Sequence, residues 1–291
     1  MTLVPALDRL SGLLERLRVR ARLFHNGMLC GVQHFDAATG HGYLHVLRRG
    51  ELTVSHPPHP GVPERLHIDQ PSLLFYPLPL SHYFHNPPRE GPDFTCAAVE
   101  FEGGAANPLA SALPPLLALP LDAVEGLEPA LMLLFAETDR VRCGQRLLAD
   151  RLFEVVLIQL LRWLLDHGET AGLKPGLIAG LSDPKLARAL TAIHESPGES
   201  WTLDRMARCA GMSRTAFAIA FKAQVGQGPA AYLADWRVAL AQNGLREGRP
   251  VKLLADELGY ATPSALSRVF AARTGLSPRD WLRSVEGEQC R

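Results

Sequence analysis

The side chains that could carry chemistry fall into two groups, one in each half of the chain. Nine of the eleven histidines precede residue 86, and Cys30 and Cys96 lie in the same half. Imidazole and thiol groups are ligands for transition metals, and an activated thiol also reacts with oxidants. The second half instead carries arginine, lysine and hydroxyl side chains at repeated positions, and such side chains bind phosphates and base edges.

Two related segments between residues 201 and 283 each predict a short helix, a glycine turn and a second helix. Gly211 ends the first helix and Ser213 can cap the next, because its hydroxyl accepts from an orphan backbone N–H. Gly259 and Thr262 hold the same places 48 and 49 residues later, followed by Pro263 at the first helical position. The apolar positions repeat as well: Leu203, Met206, Ala207, Phe217 and Phe221, then Leu254, Ala255, Leu258, Leu266 and Phe270. An internal repeat of this kind predicts two helix-turn-helix units.

The second helix of each unit should present its polar face outward, because Phe217 and Phe221 point to the core. The outward set is Arg214, Thr215, Ala218 and Lys222 in the first unit and Thr262, Ser264, Ser267 and Arg268 in the second. Arg214 starts its helix and could bind guanine bidentately, whereas Lys222 is better placed for a phosphate. The alternative for each residue is an ordinary solvated side chain.

A third helix should join the two units. Pro229 starts it, and Leu233, Trp236 and Leu240 form its buried stripe. A rigid connection would hold two recognition helices at a fixed separation, as required by adjacent major grooves about 34 Å apart on one face of DNA.

The segment resembles the DNA-binding domain of the AraC/XylS family of bacterial transcription regulators. The match covers roughly the last third of the chain and rests on Trp-Thr-Leu at 201–203, Gly-Met-Ser-Arg at 211–214, Phe217, Phe221, Gly228-Pro229, Tyr232-Leu233, Arg237, Leu258-Gly259-Tyr260, Phe270 and Gly-Leu-Ser-Pro at 275–278. Leu266 departs from the family's usual Phe but stays apolar, so we expect the packing to survive. The resemblance implies binding to double-stranded promoter DNA, and contact with RNA polymerase if the protein is an activator.

Composition is that of an ordinary globular protein, with 47% hydrophobic and 21% charged residues. The net charge is zero, but residues from Asp183 onward hold 15 Lys/Arg against 11 Asp/Glu, a net of +4. The opening residues lack a signal-peptide pattern, and the longest apolar run, 152–165, is too short and too polar to span a bilayer. An odd cysteine count without CxxC spacing is typical of reduced thiols. We therefore expect a cytoplasmic protein without a membrane partner.

The first 125 residues predict a β-rich domain. After an amphipathic helix at 3–18, short apolar stretches alternate with Pro and Gly, which is typical of a sandwich or small barrel. Residues 44–54 predict a hairpin that turns at Arg49-Gly50. The order Asp69, Leu73–Pro77, His82 and Asn86 resembles the second cupin motif, and Ser111–Leu117 resembles the strand exit of the sensory cupin domain that precedes many AraC-type DNA-binding domains.

His45 and His82 lie near positions where catalytic cupins place metal ligands. An enzyme hypothesis would have them hold a divalent metal. The His-x-His pair and the expected Glu are absent, so we expect no metal and no cofactor. The alternative is that these histidines lie in loops or line an effector pocket.

Cys30 and Cys96 fall on strand-like segments, and the chain resembles a subgroup of cupin-type regulators that senses oxidants through cysteines of this domain. A thiol beside cationic groups would be reactive. The alternative is two buried core thiols. Cys209 should pack in the core of the first helix-turn-helix unit, and Cys143 and Cys290 carry no signal.

Residues 126–167 switch to helical periodicity, with a long helix from Gln145 to His167 that is apolar around most of its girth. Such a helix needs partners on several sides. In the resembled family the helices here pair two subunits, so we expect a homodimer; the alternative is packing against the chain's own barrel. Glycines and Pro175 mark a linker from 168 to 182.

The predicted architecture is therefore α+β. A cupin-like effector-sensing β-barrel (1–125) leads through a helical dimerisation segment and linker (126–182) to an all-α DNA-binding domain with two helix-turn-helix units (183–291). We predict a non-enzymatic transcription regulator controlled by a small molecule or oxidant, with Cys30, Cys96, His45 and His82 as candidate sensing residues. The alternatives are a metal-binding cupin enzyme fused to a DNA-binding domain, and a ligand-free regulator whose barrel serves only for assembly.

Overall fold

The computed structural model of the protein describes residues 7–168 and 173–289. They form two compact units. The sheet unit comprises Val19–Ala105 and Leu113–Leu173, and the helical unit comprises the chain up to Arg18, Ala106–Ala112 and the chain from Lys174 onward. Among the described residues, no helix combines the length and the apolar character needed to cross a bilayer.

The described strands of the sheet unit pair antiparallel throughout. They are β1 Val19–Met28, β2 Val32–Phe35, β3 Gly42–Arg49, β4 Leu52–Ser55, β5 Arg65–Ile68, β6 Ser72–Tyr76, β7 His82–His85, β8 Asp93–Phe101 and β9 Leu117–Pro120. One sheet has the order β1-β8-β3-β6-β9 and the other the order β2-β7-β4-β5. This is the predicted cupin-like β fold, and with the helices below it confirms the α+β class.

The described helices are numbered in chain order through both units. They are α1 Ser11–Leu14, α2 Pro108–Ala112, α3 Leu127–Thr138, α4 Gln145–Asp166, α5 Leu177–Ser182, α6 Pro184–Glu195, α7 Leu203–Cys209, α8 Arg214–Val225, α9 Pro229–Arg246, α10 Val251–Glu257, α11 Pro263–Thr274 and α12 Pro278–Gln289. Helices α3 and α4 belong to the sheet unit, and the others belong to the helical unit.

The two sheets enclose one apolar core. Inward-facing side chains of both sheets meet in it, among them Leu47, Leu74 and Phe94 from the first sheet and Val54 and Phe84 from the second. Strand β6 is buried along its whole length. Its Ser-Leu-Leu-Phe-Tyr sequence is a short continuous apolar run, as expected of a central strand covered on both faces.

The hairpin predicted at residues 44–54 is wrong. Strand β3 pairs with β6 and β8, whereas β4 pairs with β5 and β7, so the two strands lie in different sheets. Gly50 does make the predicted turn, with a φ of 93°, but the turn carries the chain from one sheet to the other. Strand periodicity and a glycine turn are common to both arrangements, and local sequence does not distinguish them.

The helix predicted at residues 3–18 is also wrong over most of the described range. Residues 3–6 lie outside the described residues, and α1 covers only four of the rest. Leu10, Leu13 and Leu17 are buried, but the backbone carbonyl of Arg16 accepts a hydrogen bond from the Asn243 side chain at 3.1 Å. Tertiary contacts of this kind override local helix propensity.

Helix α4 matches the predicted long helix to within one residue at its C-terminus. It packs along α3 and across β1, where the Asp150 carboxylate accepts a 2.7 Å hydrogen bond from the backbone N–H of Leu23. Residues 177–182 were predicted as linker but form α5, because Leu177, Ile178 and Leu181 are buried against α6 and α8. The domain boundaries at 125 and 182 stay predictions.

Candidate functional site

The first helix-turn-helix unit forms as the sequence predicts. Gly211 adopts a φ of 64° between α7 and α8, and the Ser213 hydroxyl accepts a hydrogen bond from the backbone N–H of Ala216 at 3.3 Å. Phe217 and Phe221 are fully buried, with ring centroids 5.3 Å apart. The opposite face of α8 is therefore turned to solvent.

The exposed face of α8 includes Arg214, Thr215 and Lys222. Ala218, predicted to be outward, is only partly exposed. Ile219 is 67% exposed instead, and sequence reasoning missed it. Helical geometry predicts this exposure, because at 100° per residue Ile219 lies about 200° around the helix axis from the buried Phe217. An exposed isoleucine on a polar face can make apolar contact with a thymine methyl group.

The second unit repeats this geometry. The Thr262 hydroxyl accepts from the backbone N–H of Ala265 at 3.1 Å and caps α11, with Pro263 next in the chain. Leu266 is buried at the position where the family usually has Phe. Thr262, Ser264 and Arg268 are exposed, and Ser267 is half-buried. Three of the four residues predicted to point outward in the second helix-turn-helix unit are thus exposed.

Helix α9 joins the two helix-turn-helix units, and its predicted stripe of Leu233, Trp236 and Leu240 is buried. From it, Arg237 reaches the segment that leads into α7. Its Nε donates to the carbonyl of Pro197 at 2.8 Å and a terminal nitrogen donates to that of Glu199 at 2.9 Å. The guanidinium lies 5.3 Å from the ring centre of Tyr260, which belongs to the turn of the second unit. The Arg237 side chain thus contacts both helix-turn-helix units.

The backbones of Gly198 and Gly259 also lie in close contact where the two helix-turn-helix units meet. Gly259 has a φ of 73°, and a Cβ built there would lie 2.1 Å from the carbonyl oxygen of Gly198. A Cβ on Gly198 would in turn lie 2.2 Å from the carbonyl oxygen of Glu257. Glycine is required at both positions. We call the contacts of Arg237, Gly198 and Gly259 the junction clamp.

The sheet unit brings His45 and His82 together in its interior. Both are fully buried, and their Nε2 atoms are 3.0 Å apart. Nδ1 of His82 lies 2.8 Å from the carbonyl oxygen of Leu80 and must donate to it, so its Nε2 is the acceptor of a hydrogen bond from His45. His45 Nδ1 is then an acceptor, and it has no partner among the described residues.

A second buried pair adjoins the first. His56 donates from Nδ1 to the carbonyl of Pro63 at 2.7 Å, so its Nε2 accepts the Tyr76 hydroxyl at 2.9 Å. The Tyr76 ring stacks on His82 with centroids 4.0 Å apart. Burial lowers the pKa of His45 and of His56, lowers the pKa of His82 to about 3, and raises the pKa of Tyr76. All four groups are therefore neutral at neutral pH.

The surroundings of the histidine pair bear on the metal hypothesis. Among the described residues, no group of three or more His, Cys, Asp or Glu side chains could hold a metal ion. His41 lies beside its own turn, with Nδ1 3.1 Å from the Gly42 carbonyl, and His85 is exposed and bonds to Ser55. The geometry gives the metal-dependent enzyme hypothesis no support.

The two candidate sensing cysteines differ in environment. Cys96 lies on β8 in the core, fully buried, and burial raises the pKa of its thiol. Cys30 lies in the turn after β1 rather than on a strand, and its Sγ accepts from the backbone N–H of Gly91 at 3.4 Å. Cys209 is half-buried and Cys143 is exposed, while Cys290 lies outside the described residues. Oxidant sensing by Cys30 and Cys96 stays a prediction.

The thiols should be alkylated in the order of their exposure. With iodoacetamide at neutral pH, Cys143 should react first and Cys96 last, because Cys96 is protonated and reached only when the core opens. Timed labelling read by peptide mass spectrometry measures both rates in one sample. Equal rates for Cys143 and Cys96 in the folded protein would mean that Cys96 is not a core thiol.

The chain matches two family models. The model described as a cupin covers residues 8–166, and that described as a helix-turn-helix domain covers residues 206–284. An AraC-like transcription regulator of Streptomyces antibioticus is 39% identical over 172 residues, which are 58% of this chain and 56% of that relative. An uncharacterized HTH-type transcriptional regulator of Haemophilus influenzae is 26% identical over 279 residues, 87% of this chain and 90% of the relative. The chain thus spans about half the length of the first relative and most of the second.

Among solved structures, the DNA-binding domain of the global transcriptional factor AdpA in complex with a target DNA is similar, with 27% identity and a TM-score of 0.34. That similarity covers 38% of this chain and 98% of the other. The cupin model alone matches more than half of the chain, and the helix-turn-helix model matches the segment whose two units are described above. The chain belongs to the AraC/XylS family, in the form in which a cupin domain precedes the helix-turn-helix domain.

Proposed function

We propose that the protein binds promoter DNA with both helix-turn-helix units at once, as a homodimer, and that the sheet unit changes this binding in response to a small molecule or oxidant. The observation that carries the proposal is the junction clamp, which ties two recognition helices with exposed polar faces into one body. DNA reading is assigned to Arg214, Thr215, Ala218 and Lys222 of α8 and to Thr262, Ser264, Ser267 and Arg268 of α11. Ile219 joins this set.

The sensing role rests on the interior of the sheet unit, where His45 and His82 lie among aromatic side chains. A ligand can shift a regulator only by its differential affinity for two states of the protein. In this proposal the protein acts in the cytoplasm without catalysing a reaction, and as an activator it would also contact RNA polymerase.

The test of two-unit binding is a change in spacing. Within a binding site found upstream of the protein's own gene, five inserted base pairs between the two half-elements turn one major groove to the opposite face of the DNA. Affinity should fall to that of one half-element. Ten inserted base pairs should not restore it, because the junction clamp fixes the distance as well as the direction.

Fluorescence anisotropy at one fixed salt concentration measures this series, since salt dominates protein–DNA affinity. The control is the same insertion placed outside both half-elements, which should change nothing. Full recovery of affinity with ten inserted base pairs would show that the two helix-turn-helix units are flexibly joined. Unchanged affinity with five inserted base pairs would show that only one of them binds.

The dimer is proposed from an apolar surface on α3, α4 and the turn between them. Its exposed side chains are Met132, Leu133, Val141, Leu147, Leu148 and Val155, with exposures from 41% to 95%. An apolar patch of this kind marks a surface that another protein covers. The proposed cover is a second copy of this chain, and the exposed Arg140, Arg142, Arg146 and Arg151 border the apolar side chains.

Leu147→Glu should therefore convert the dimer to a monomer, because burial in an apolar contact would remove the hydration of the new carboxylate. Sedimentation or light scattering at micromolar concentration measures the mass. Val32→Glu is the matched control, since Val32 is 65% exposed in the sheet unit but lies off this surface. A wild-type monomer, or an L147E protein that stays dimeric, would move the dimer contact elsewhere.

A further inference from the structure

The unpartnered nitrogen of His45 lies inside a box of aromatic rings. The ring centroid of His45 is 4.5 Å from that of Phe35, 4.8 Å from that of Phe84 and 5.6 Å from the stacked ring of Tyr43. Buried acceptors without a donor are rare and costly in folded proteins. The hydrogen-bond pattern leaves Nδ1 of His45 as such an acceptor, so a donor brought in by a ligand would satisfy it.

The surroundings of this nitrogen carry no charge. Within the described residues, the core cluster of the sheet unit consists of aliphatic and aromatic side chains with Cys96, and the adjoining histidines are neutral. A carboxylate or ammonium group brought into this box would lose its hydration without gaining a counter-charge. The interior therefore favours a molecule that is uncharged.

Phe24 marks a point of entry. The pairing of β1 with β8 shifts register between Leu23 and His25, so Phe24 occupies a bulge. Its ring is 47% exposed although it lies 6.0–6.2 Å from the rings of Phe35, Tyr43 and His45. Bulges re-aim side chains next to binding sites. β1 is an edge strand of its sheet, and the pocket in which Phe24 lies opens along that edge, beside the segment from α3 to α4.

The mouth around Phe24 is mixed in character. It is lined, with Phe24, by Leu23, His25 and Asn26 of β1 and by Thr138, Gln145 and Arg146 of the segment from α3 to α4. Ligand sites typically combine an apolar wall with a few polar groups of this kind. The volume that a swing of Phe24 would vacate is that of one six-membered ring with its substituents.

We propose that the sheet unit binds an uncharged molecule of about one aromatic ring that carries a hydrogen-bond donor, of the phenol class, with the donor on His45 Nδ1 and the ring in the place of Phe24. The inference deepens the proposed sensing function and rests on it for its biological meaning. The binding itself is independent of DNA.

Three probe molecules of the same shape separate the effect of the hydrogen-bond donor from the effect of charge. p-Cresol is neutral and has a donor, 4-methylanisole is neutral without a donor, and 4-methylbenzoate is an anion at neutral pH. A ligand that binds only the folded state raises the unfolding temperature, and at equal concentration the tighter ligand raises it more. With the full-length protein at pH 7, p-cresol should raise it most, 4-methylanisole should bind roughly five- to tenfold more weakly for want of one hydrogen bond, and 4-methylbenzoate should have no effect.

Two variants locate the site. Phe24→Trp should abolish the p-cresol effect, because a larger ring fills the mouth, whereas Met28→Trp, at an exposed position of the same strand, should leave it intact. If Phe24→Trp does not fold, the three probes still test the proposed ligand class on the unaltered protein. Equal binding of p-cresol and 4-methylanisole would overturn the role of His45, equal binding of 4-methylbenzoate would overturn the neutral class, and no shift with any probe would overturn the proposal.

DNA binding measured in the same samples keeps this inference apart from the proposed function. Binding of p-cresol that leaves DNA affinity unchanged would support the ligand class and contradict the sensing role. Failure of all three probes, with DNA still bound in two units, would contradict the ligand class and leave the regulator function standing.

Discussion

Gly259→Ala should destabilise the helical unit by about 2–5 kcal/mol and abolish simultaneous binding of both half-elements. The left-handed backbone of Gly259 costs an alanine about 1–2 kcal/mol. The new Cβ would also lie 2.1 Å from the carbonyl oxygen of Gly198, which is backbone and cannot rotate away. Relief of such a clash adds about 1–3 kcal/mol and separates the two units. Urea unfolding and the spacing series measure the two effects.

Gly275→Ala is the matched control. Gly275 also has a left-handed backbone, with a φ of 77°, but a Cβ there would meet nothing within 4 Å. The Gly275→Ala variant should lower the free energy of unfolding only by the cost of the left-handed backbone, about 1–2 kcal/mol. It should still bind both half-elements at once. If both variants lose the same stability and behave alike on DNA, the contact of Gly259 with Gly198 does not hold the units together.

The helix-turn-helix repeat could be predicted because its determinants are local. The Ser213 and Thr262 hydroxyls each accept from a backbone N–H three residues ahead, and the buried aromatic positions of α8 recur at helical spacing. The junction clamp could not be predicted in this way. Arg237 contacts carbonyl groups 38 and 40 residues earlier in the chain, and the local sequence around it does not encode those partners.

The sheet unit shows the same limit. Strand positions followed from alternation and turn residues, but the assignment of β3 and β4 to different sheets depends on partners far along the chain. His45 and His82 were singled out by resemblance, and their contact across 37 residues became visible only in the fold. Cys30 was predicted to lie on a strand-like segment, yet β1 ends at Met28 and Cys30 lies in the turn before β2.

Ile219 was missed for a different reason. The outward set predicted for α8 was Arg214, Thr215, Ala218 and Lys222, and it left Ile219 out. Helical geometry alone excludes it from the core, since it lies opposite Phe217 and Phe221. An apolar residue at an exposed position of a recognition helix is itself a sign of base contact, because thymine presents a methyl group in the major groove.

Arg214→Ala should weaken binding to the specific site by about 1–3 kcal/mol, which is a loss of roughly 5- to 150-fold, and should relax preference at one base position. Arg214 is exposed at the first position of α8, where a recognition helix approaches base edges, and its guanidinium matches the two acceptors of guanine. Anisotropy titrations with a set of sites that differ at one base pair measure both affinity and preference.

Two further variants separate base reading from electrostatics. Lys222→Ala should weaken all sites about equally and reduce the salt slope by about one, because a lysine on a phosphate carries no sequence information. Ile219→Ala should make affinity insensitive to replacement of one thymine by deoxyuridine, which lacks the methyl group. Arg188→Ala, at an exposed position of α6, controls for loss of a positive charge alone. If Arg214→Ala behaves as Lys222→Ala does, then Arg214 binds the backbone and base reading by α8 falls to Ile219 and Thr215.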